Sequence, residues 1–349
     1  MIILGIETSC DETGAAVIEK NNSGLHIISN EIASSLSLHA KTGGIIPEIA
    51  AREQLRYILP TIQKATEKTG WNNIDAIAVT FGPGLIGSLL VGVETAKTLS
   101  YVLKKPLIPV NHLYGHIYAN WLMANGKWQM ENEKKPSTIH HPPSTIEFPA
   151  LALIVSGGHT DLVIMQSHEV VEVVGGTRDD AAGEAFDKIG RLLGFPYPAG
   201  AAIAALAKKG DPKAFTLPRP LIGSHDFDFS FSGLKTAALR ETEKMGEMRG
   251  QTLADFCASV QWAIVDVLVK KTLKAAKHYD VKSILLGGGV AANDALREQL
   301  TIKSQELGIN FFVPAKNLCT DNSAMIAAAG FFTKKSSWET VTANPELYY

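Results

Sequence analysis

The apolar positions along this chain change their period several times, and each change marks an element. MIILGIET, GAAVIEK and HIISNEIA read as three successive strands separated by turn residues. From Pro47 to Thr69 the period lengthens to that of a helix, with Ile49, Leu55, Ile58, Leu59 and Ile62 on the expected apolar face. DAIAVT follows as a buried strand, FGPGLIGS as a glycine-rich turn, 86–102 as a helix and LIPVN as another strand. A further helix begins at His112.

The pattern then breaks. Residues 125–149 are polar and carry four prolines, which predicts an exposed connection. Beyond it the order restarts, with ALALIVSG, TDLVIMQ and EVVEVV as strands and DDAAGEAFDKIGRLLG as a helix. More helices run to about His278, then SILLGGG, a helix, NFFVP and a last helix from about Thr320 to Lys334. Two halves that each open with a three-strand meander followed by helix–strand alternation predict a duplicated α/β architecture. The expected division is a first lobe at 1–125, a connection at 126–148 and a second lobe at 149–349, whose last helix returns to the first.

Composition narrows the class. A chain of 349 residues, 46% hydrophobic, can bury a large core without covalent staples. Its three cysteines, Cys10, Cys257 and Cys319, are odd in number and form no CxxC pair. That argues against a disulfide framework or a cysteine zinc site and for a reducing cytoplasm. The first residues are apolar but lack a basic flank and meet Glu7 at once, so they predict a strand and not a signal peptide. No apolar run reaches the ~18 residues of a membrane span. With a net charge of -2, any nucleic acid would be held by a local patch or with help from partner proteins.

The candidate chemistry begins at NHLYGH. His112 and His116 stand four residues apart after a strand. On a helix they lie about 40° apart and roughly 6 Å along the axis, able to share one metal ion. They also read as two unrelated polar residues at a helix start. Asp321 in LCTDNSAMIA is the best third ligand, and equally reads as a helix N-cap. Two histidines and a carboxylate with open positions suit iron(II) or zinc.

Three glycine clusters, at 82–87, 156–158 and 287–289, follow strands and could approach a phosphate or simply make tight turns. Gly82 to Gly87 matches GxGxxG formally, but it lies outside the first βαβ unit, and the strand LIPVN that follows ends without the acidic residue of a dinucleotide site. Asp11 and Glu12 are adjacent, and Asp180, Glu184 and Asp187 fall on one predicted helix face beside Asp179. Lys270, Lys271, Lys274 and Lys277 form a basic stripe that reads most simply as a solvated face. His140 and His141 fall in the proline-rich connection and read as incidental.

Taken in order, GIETSCDET, GPGLIGSLLVG, NHLYGH, LIVSGGHT, DDAAGEAFDK, DFSFSGLKT, LGGGVAAN and CTDNSAMIA span nearly the whole chain. The set resembles the tRNA adenosine threonylcarbamoyltransferase family, once taken for glycoprotein endopeptidases, in its bacterial branch. The resemblance implies an actin-like, sugar-kinase-like ATPase fold of two related lobes with a central cleft. It implies one divalent metal ion, iron(II) in preference to zinc, on His112, His116 and Asp321. Ile154, Val155, Ser156, Gly157 and Gly158 would surround the phosphate region of the substrate, and Asp187, Gly200 and Asn293 the nucleoside end.

The implied reaction is acyl transfer from threonylcarbamoyl-AMP to tRNA, with Asp11 as the candidate proton acceptor and Glu12 supporting it. The implied partners are a small homologous subunit and a small P-loop ATPase, in the cytoplasm and away from membranes. Family members often read YPGGP where this chain has Tyr197-Pro198-Ala199-Gly200-Ala201, and Ala204 replaces an acidic residue sometimes found there. A helical zinc protease is disfavoured because Leu113, not Glu, follows His112. A kinase of the same fold would need no histidine-bound metal. A non-catalytic homologue would lack the histidine pair.

Overall fold

The computed structural model describes residues 1–123 and 146–349. The connection expected at 126–148, with His140 and His141, lies almost wholly outside the described residues. The chain divides into two compact units, Met1–Thr145 with Pro314–Tyr349, and Ile146–Val313.

In the first unit β1 (Ile2–Glu7), β2 (Glu12–Asn21) and β3 (Gly24–Ser34) form an antiparallel meander. After α1 (Leu36–Thr42) and α2 (Pro47–Thr66), β4 (Ala76–Gly82) joins β1 in parallel. Then α3 (Ile86–Leu103) leads to β5 (Leu107–Asn111), parallel to β4. α4 (His112–Tyr118) and the short β6 (Leu122–Met123) complete the sheet order β5-β4-β1-β2-β3-β6. Strands covered on both faces are near-continuously apolar, as β1 is up to Glu7 and β4 is apart from Thr80.

The second unit repeats the scheme. β7 (Ala150–Val155), β8 (Thr160–Met165) and β9 (Val171–Gly176) form the meander. Four helices follow: α5 (Ala182–Leu192), α6 (Gly200–Ala207), α7 (Ser232–Met245) and α8 (Gly250–His278). β10 (Ser283–Gly287), α9 (Asp294–Glu306) and β11 (Asn310–Phe312) close the order β11-β10-β7-β8-β9. Leaving aside β6, both sheets therefore have the same order and the same strand directions, which is the duplication expected from the pattern.

Four expectations change. Residues 314–349 belong to the first unit and not to a lobe at 149–349, because α10 (Ser323–Gly330) packs on β1, β2, β4 and α4. A Cβ on Gly5 would lie 2.4 Å from the Ser323 carbonyl oxygen, so this helix sits directly on the strand. Leu55 and Leu59 of α2 point outward, 66% and 63% exposed, while Gln54, Ile58 and Ile62 face inward. Lys271 of the basic stripe is buried and donates to Ser224 Oγ and to the Asp226 carbonyl oxygen. Finally, α3 and α8 do reach the length and mean hydropathy of a membrane span. Small and hydroxyl residues interleave their apolar ones, and most of the apolar stretch of α8 is buried within the protein.

Candidate active site

β5 ends at Asn111, whose Oδ1 accepts the Leu113 N–H at 2.8 Å and so starts α4 at His112. This puts both histidines on one helical face, with ring centroids 4.7 Å apart and planes at 80°. From the distant end of the chain, Asp321 brings Oδ1 to 3.5 Å from His112 Nε2 and 3.3 Å from His116 Nε2. Asp321 does not cap α10; Asn322 does, accepting the Met325 N–H at 3.1 Å. The three residues offer one ligand atom each, all within 4.8 Å of one another. Among the described residues neither ring nitrogen of the buried His116 has a hydrogen-bond partner. A buried imidazole with unspent lone-pair capacity beside a second imidazole and a carboxylate fits a divalent cation.

Glu7, at the end of β1, was not among the residues expected from sequence. It is fully buried. Its Oε1 accepts the Ser9 N–H at 2.5 Å; its Oε2 accepts the Thr80 hydroxyl at 2.6 Å and faces His112 Nδ1 at 3.1 Å. The available signal was an acid at the end of an otherwise apolar strand, where a charge stays only if partnered. For the chain by itself, burial opposes protonation of His112, but the charges of Glu7 and Asp321 and the Glu7 hydrogen bond outweigh it and raise its pKa to about 9. Burial likewise works against ionised Glu7, yet His112 and Thr80 hold its pKa below the usual value.

The β1–β2 turn carries Asp11 and Glu12, and its carbonyls are tied from several elements. Leu85 N–H donates to the Ser9 carbonyl at 2.8 Å and Ser88 Oγ to the Cys10 carbonyl at 3.0 Å. Gln54 Nε2 donates to the carbonyls of Cys10 and Glu12 at 2.9 and 3.1 Å, and Ser35 Oγ to that of Asp11 at 2.8 Å. Asp11 is buried. Burial, then the charges of Asp321 and Asp11, push Glu12 up to about 10, so it holds a proton at neutral pH. Burial and the same carboxylates raise the Cys10 thiol well above its ordinary value, which makes it a poor nucleophile.

In the second unit, Ser156–Gly158 form the turn between β7 and β8, closed by the Ser156 N–H donating to the His159 carbonyl at 2.8 Å. Gly157 and Gly158 are exposed, and a Cβ on either would meet nothing within 4 Å. Ile154 and Val155 are wholly buried. They set the position of the turn and present no side-chain surface to a ligand: Ile154 lies between β8 and β10, and Val155 pairs with Thr160 of β8. Gly288, at φ 89°, passes so close to Val155 that a Cβ would lie 2.4 Å from its carbonyl oxygen.

Asp187 accepts the Ala199 N–H at 2.7 Å, which links it to the turn before Gly200, and burial raises its pKa. Asn293 caps α9 through the Leu296 N–H at 3.1 Å and donates to Gln261 Oε1 at 2.8 Å. Asp180 and Glu184 do not stand unpartnered, since Lys188 bridges them at 2.7 and 2.8 Å.

Two solved structures share this architecture. Full-length HypF in its phosphate- and nucleotide-bound form aligns with TM-score 0.57 and 12% identity, over 95% of this chain and 46% of that one. Component A of the Acidaminococcus fermentans (R)-2-hydroxyglutaryl-CoA dehydratase aligns with TM-score 0.50 and 13% identity, over 94% and 96%. Such identities speak for the fold alone, and the fold is the two-lobed actin-like ATPase class.

The family is defined by sequence. The model of the tRNA N6-adenosine threonylcarbamoyltransferase family matches residues 26–131 and 135–328. Proteins of that name from Symbiobacterium thermophilum and Bacillus subtilis are each 49% identical, over 95% of this chain and 91% and 90% of their own lengths. One from Dehalococcoides mccartyi is 51% identical, over 95% of this chain and 93% of its own. The chain belongs to this family of tRNA-modifying transferases.

Proposed function

We propose that this chain transfers the threonylcarbamoyl group from threonylcarbamoyl-AMP to the exocyclic amine of the adenosine 3′ of the anticodon, in tRNAs that read codons starting with A. The observation that carries the proposal is the convergence of His112, His116 and Asp321 from distant parts of a chain that matches this family along most of its length. The amine nitrogen attacks the carbamoyl carbon, a C–N bond forms, the C–O bond to phosphate breaks, and AMP departs with the electron pair. His112, His116 and Asp321 would hold a divalent metal, iron(II) in preference to zinc, whose Lewis acidity polarises donor oxygens.

Asp11 accepts the amine proton. Glu12, held neutral by burial and by its acidic neighbours, keeps a second negative charge out of the same turn. The exposed Gly157 and Gly158 of the β7–β8 turn offer backbone N–H groups to the phosphate that leaves. Asp187 shapes the turn before Gly200, and Asn293 the start of α9, at the nucleoside end.

With a net charge of -2 the chain has no bulk attraction for tRNA, which supports sharing that task with a small homologous subunit and a P-loop ATPase subunit. The outward leucines Leu55, Leu59 and Leu90 form an apolar strip on α2 and α3 that suits a protein partner. Label from radioactive threonine, supplied with an adenylate-forming enzyme, ATP, bicarbonate and partner proteins, is expected on tRNA with this chain. It is not expected with the His112→Ala/His116→Ala double variant. No label with the unaltered chain, beside a working control enzyme, would refute the assignment.

A further inference from the structure

We infer that Glu7 is a positioning residue for the metal-ligand set: it anchors His112 at Nδ1 and thereby presents Nε2, beside Asp321, to a divalent cation. This rests on the reading of His112, His116 and Asp321 as metal ligands.

The chain keeps a carboxylate at the end of a buried strand where an aliphatic residue would be the default, and every contact of that carboxylate has a purpose. Oε1 is used by the Ser9 N–H at 2.5 Å, from the turn after β1. Oε2 is used by the Thr80 hydroxyl at 2.6 Å, from β4, and faces His112 Nδ1 at 3.1 Å, on α4. An ionised carboxylate only accepts hydrogen bonds, so the imidazole must carry its proton on Nδ1 to meet it. Ser9 Oγ, 3.2 Å from the same nitrogen, adds a second acceptor. Once a cation displaces the second ring proton, the lone pair is left on Nε2, the atom 3.5 Å from Asp321 Oδ1.

The two histidines differ in this respect. Among the described residues His116 has no hydrogen-bond partner on either ring nitrogen; Asp321 Oδ1 stands 3.3 Å from its Nε2, but no hydrogen bond holds its Nδ1 as Glu7 holds that of His112. His112 is the ligand set in advance, and Glu7 sets it. A carboxylate behind a ligating imidazole also increases its basicity, and loss of such a partner typically weakens metal binding by about 10- to 100-fold.

The test titrates the full-length, metal-stripped chain with zinc(II) and with cobalt(II) against a competing chelator, reading dissociation constants and the visible cobalt spectrum. Glu7→Gln keeps the side chain's size and an accepting oxygen but loses its charge. The expected result is a dissociation constant of the folded protein raised at least tenfold and an altered cobalt spectrum, beyond the fall in metal-free melting that loss of the buried Glu7–His112 pair brings. A merely structural role would lower the melting temperature and leave the affinity of the folded protein alone; a constant within twofold of the unaltered chain overturns the role of Glu7.

Should Glu7→Gln fail to fold, long-range ¹H–¹⁵N spectra of the zinc-loaded unaltered chain decide. Zinc on His112 Nε2 with a protonated Nδ1 supports the inference, and zinc on Nδ1 overturns it. An unaltered chain that takes up neither metal overturns the metal reading itself and the role of Glu7 with it.

Discussion

Gly5→Ala is the smallest change that should disturb the ligand set from outside it. Gly5 sits in β1 under α10, and an added Cβ would lie 2.4 Å from the Ser323 carbonyl oxygen and 2.7 Å from the Ala327 nitrogen. Both are backbone atoms of a fully buried helix, so no side chain can swing away. Either the helix lifts or the strand bends. Overpacking of this kind costs about 1–3 kcal/mol, which lowers the folding constant roughly 5- to 150-fold. Asp321 lies two residues before the start of α10 and moves with it, so metal affinity should fall as well.

Gly157→Ala is the control, since a Cβ there meets nothing within 4 Å. Its stability should stay within about 1 kcal/mol of the unaltered chain. Urea unfolding of both variants, with zinc titration of the folded forms, gives the comparison. A Gly5→Ala protein as stable as the unaltered chain, and binding zinc as tightly, would refute the account of how α10 is seated.

Other outcomes follow from the same geometry. Because Glu7 and Asp321 raise His112 to about 9 against the opposing effect of burial, the chain alone holds a proton there at neutral pH, and a metal must displace it. Zinc affinity should therefore rise about tenfold per pH unit between pH 7 and 9, and a flat profile would count against the coupling. The sign for metal-free stability is opposite: the His112 contribution is full below about pH 6.5 and is lost as pH rises through about 9, readable as a falling urea midpoint. Asp11→Asn should lower kcat by about 10²- to 10⁴-fold with metal content unchanged, and full turnover would remove Asp11 from the proton transfer. Asn111→Ala removes the cap of α4 and the donor to the Tyr348 carbonyl, costing about 0.5–2 kcal/mol by calorimetry.

Much of this protein was legible without coordinates, because strands and helices announce themselves through local periodicity. Both meanders could be read from short apolar runs bounded by turn residues, and the shared face of His112 and His116 from their spacing alone. The ordered motifs sufficed for the family. Local pattern could not say which apolar face turns inward, so Leu55 and Leu59 were expected on the buried face of α2 when Gln54 faces in and they face out. It also could not separate a ligand from a cap at Asp321, because that choice depends on Asn322 taking the cap first.

Glu7 stood out only as an acid ending an apolar strand, and its role was hidden for the same reason. Its meaning lies in Thr80 and His112, brought together only when β1 pairs with β4 and β4 with β5. The return of residues 314–349 to the first unit was decided by tertiary packing too, because Gly5 opens the space for α10 on the sheet. Sequence by itself determined the elements, the duplication and the family, since these depend on neighbours along the chain. Only the tertiary structure decided which carboxylates meet the histidines, since strand pairing and helix seating join residues that no sequence period connects.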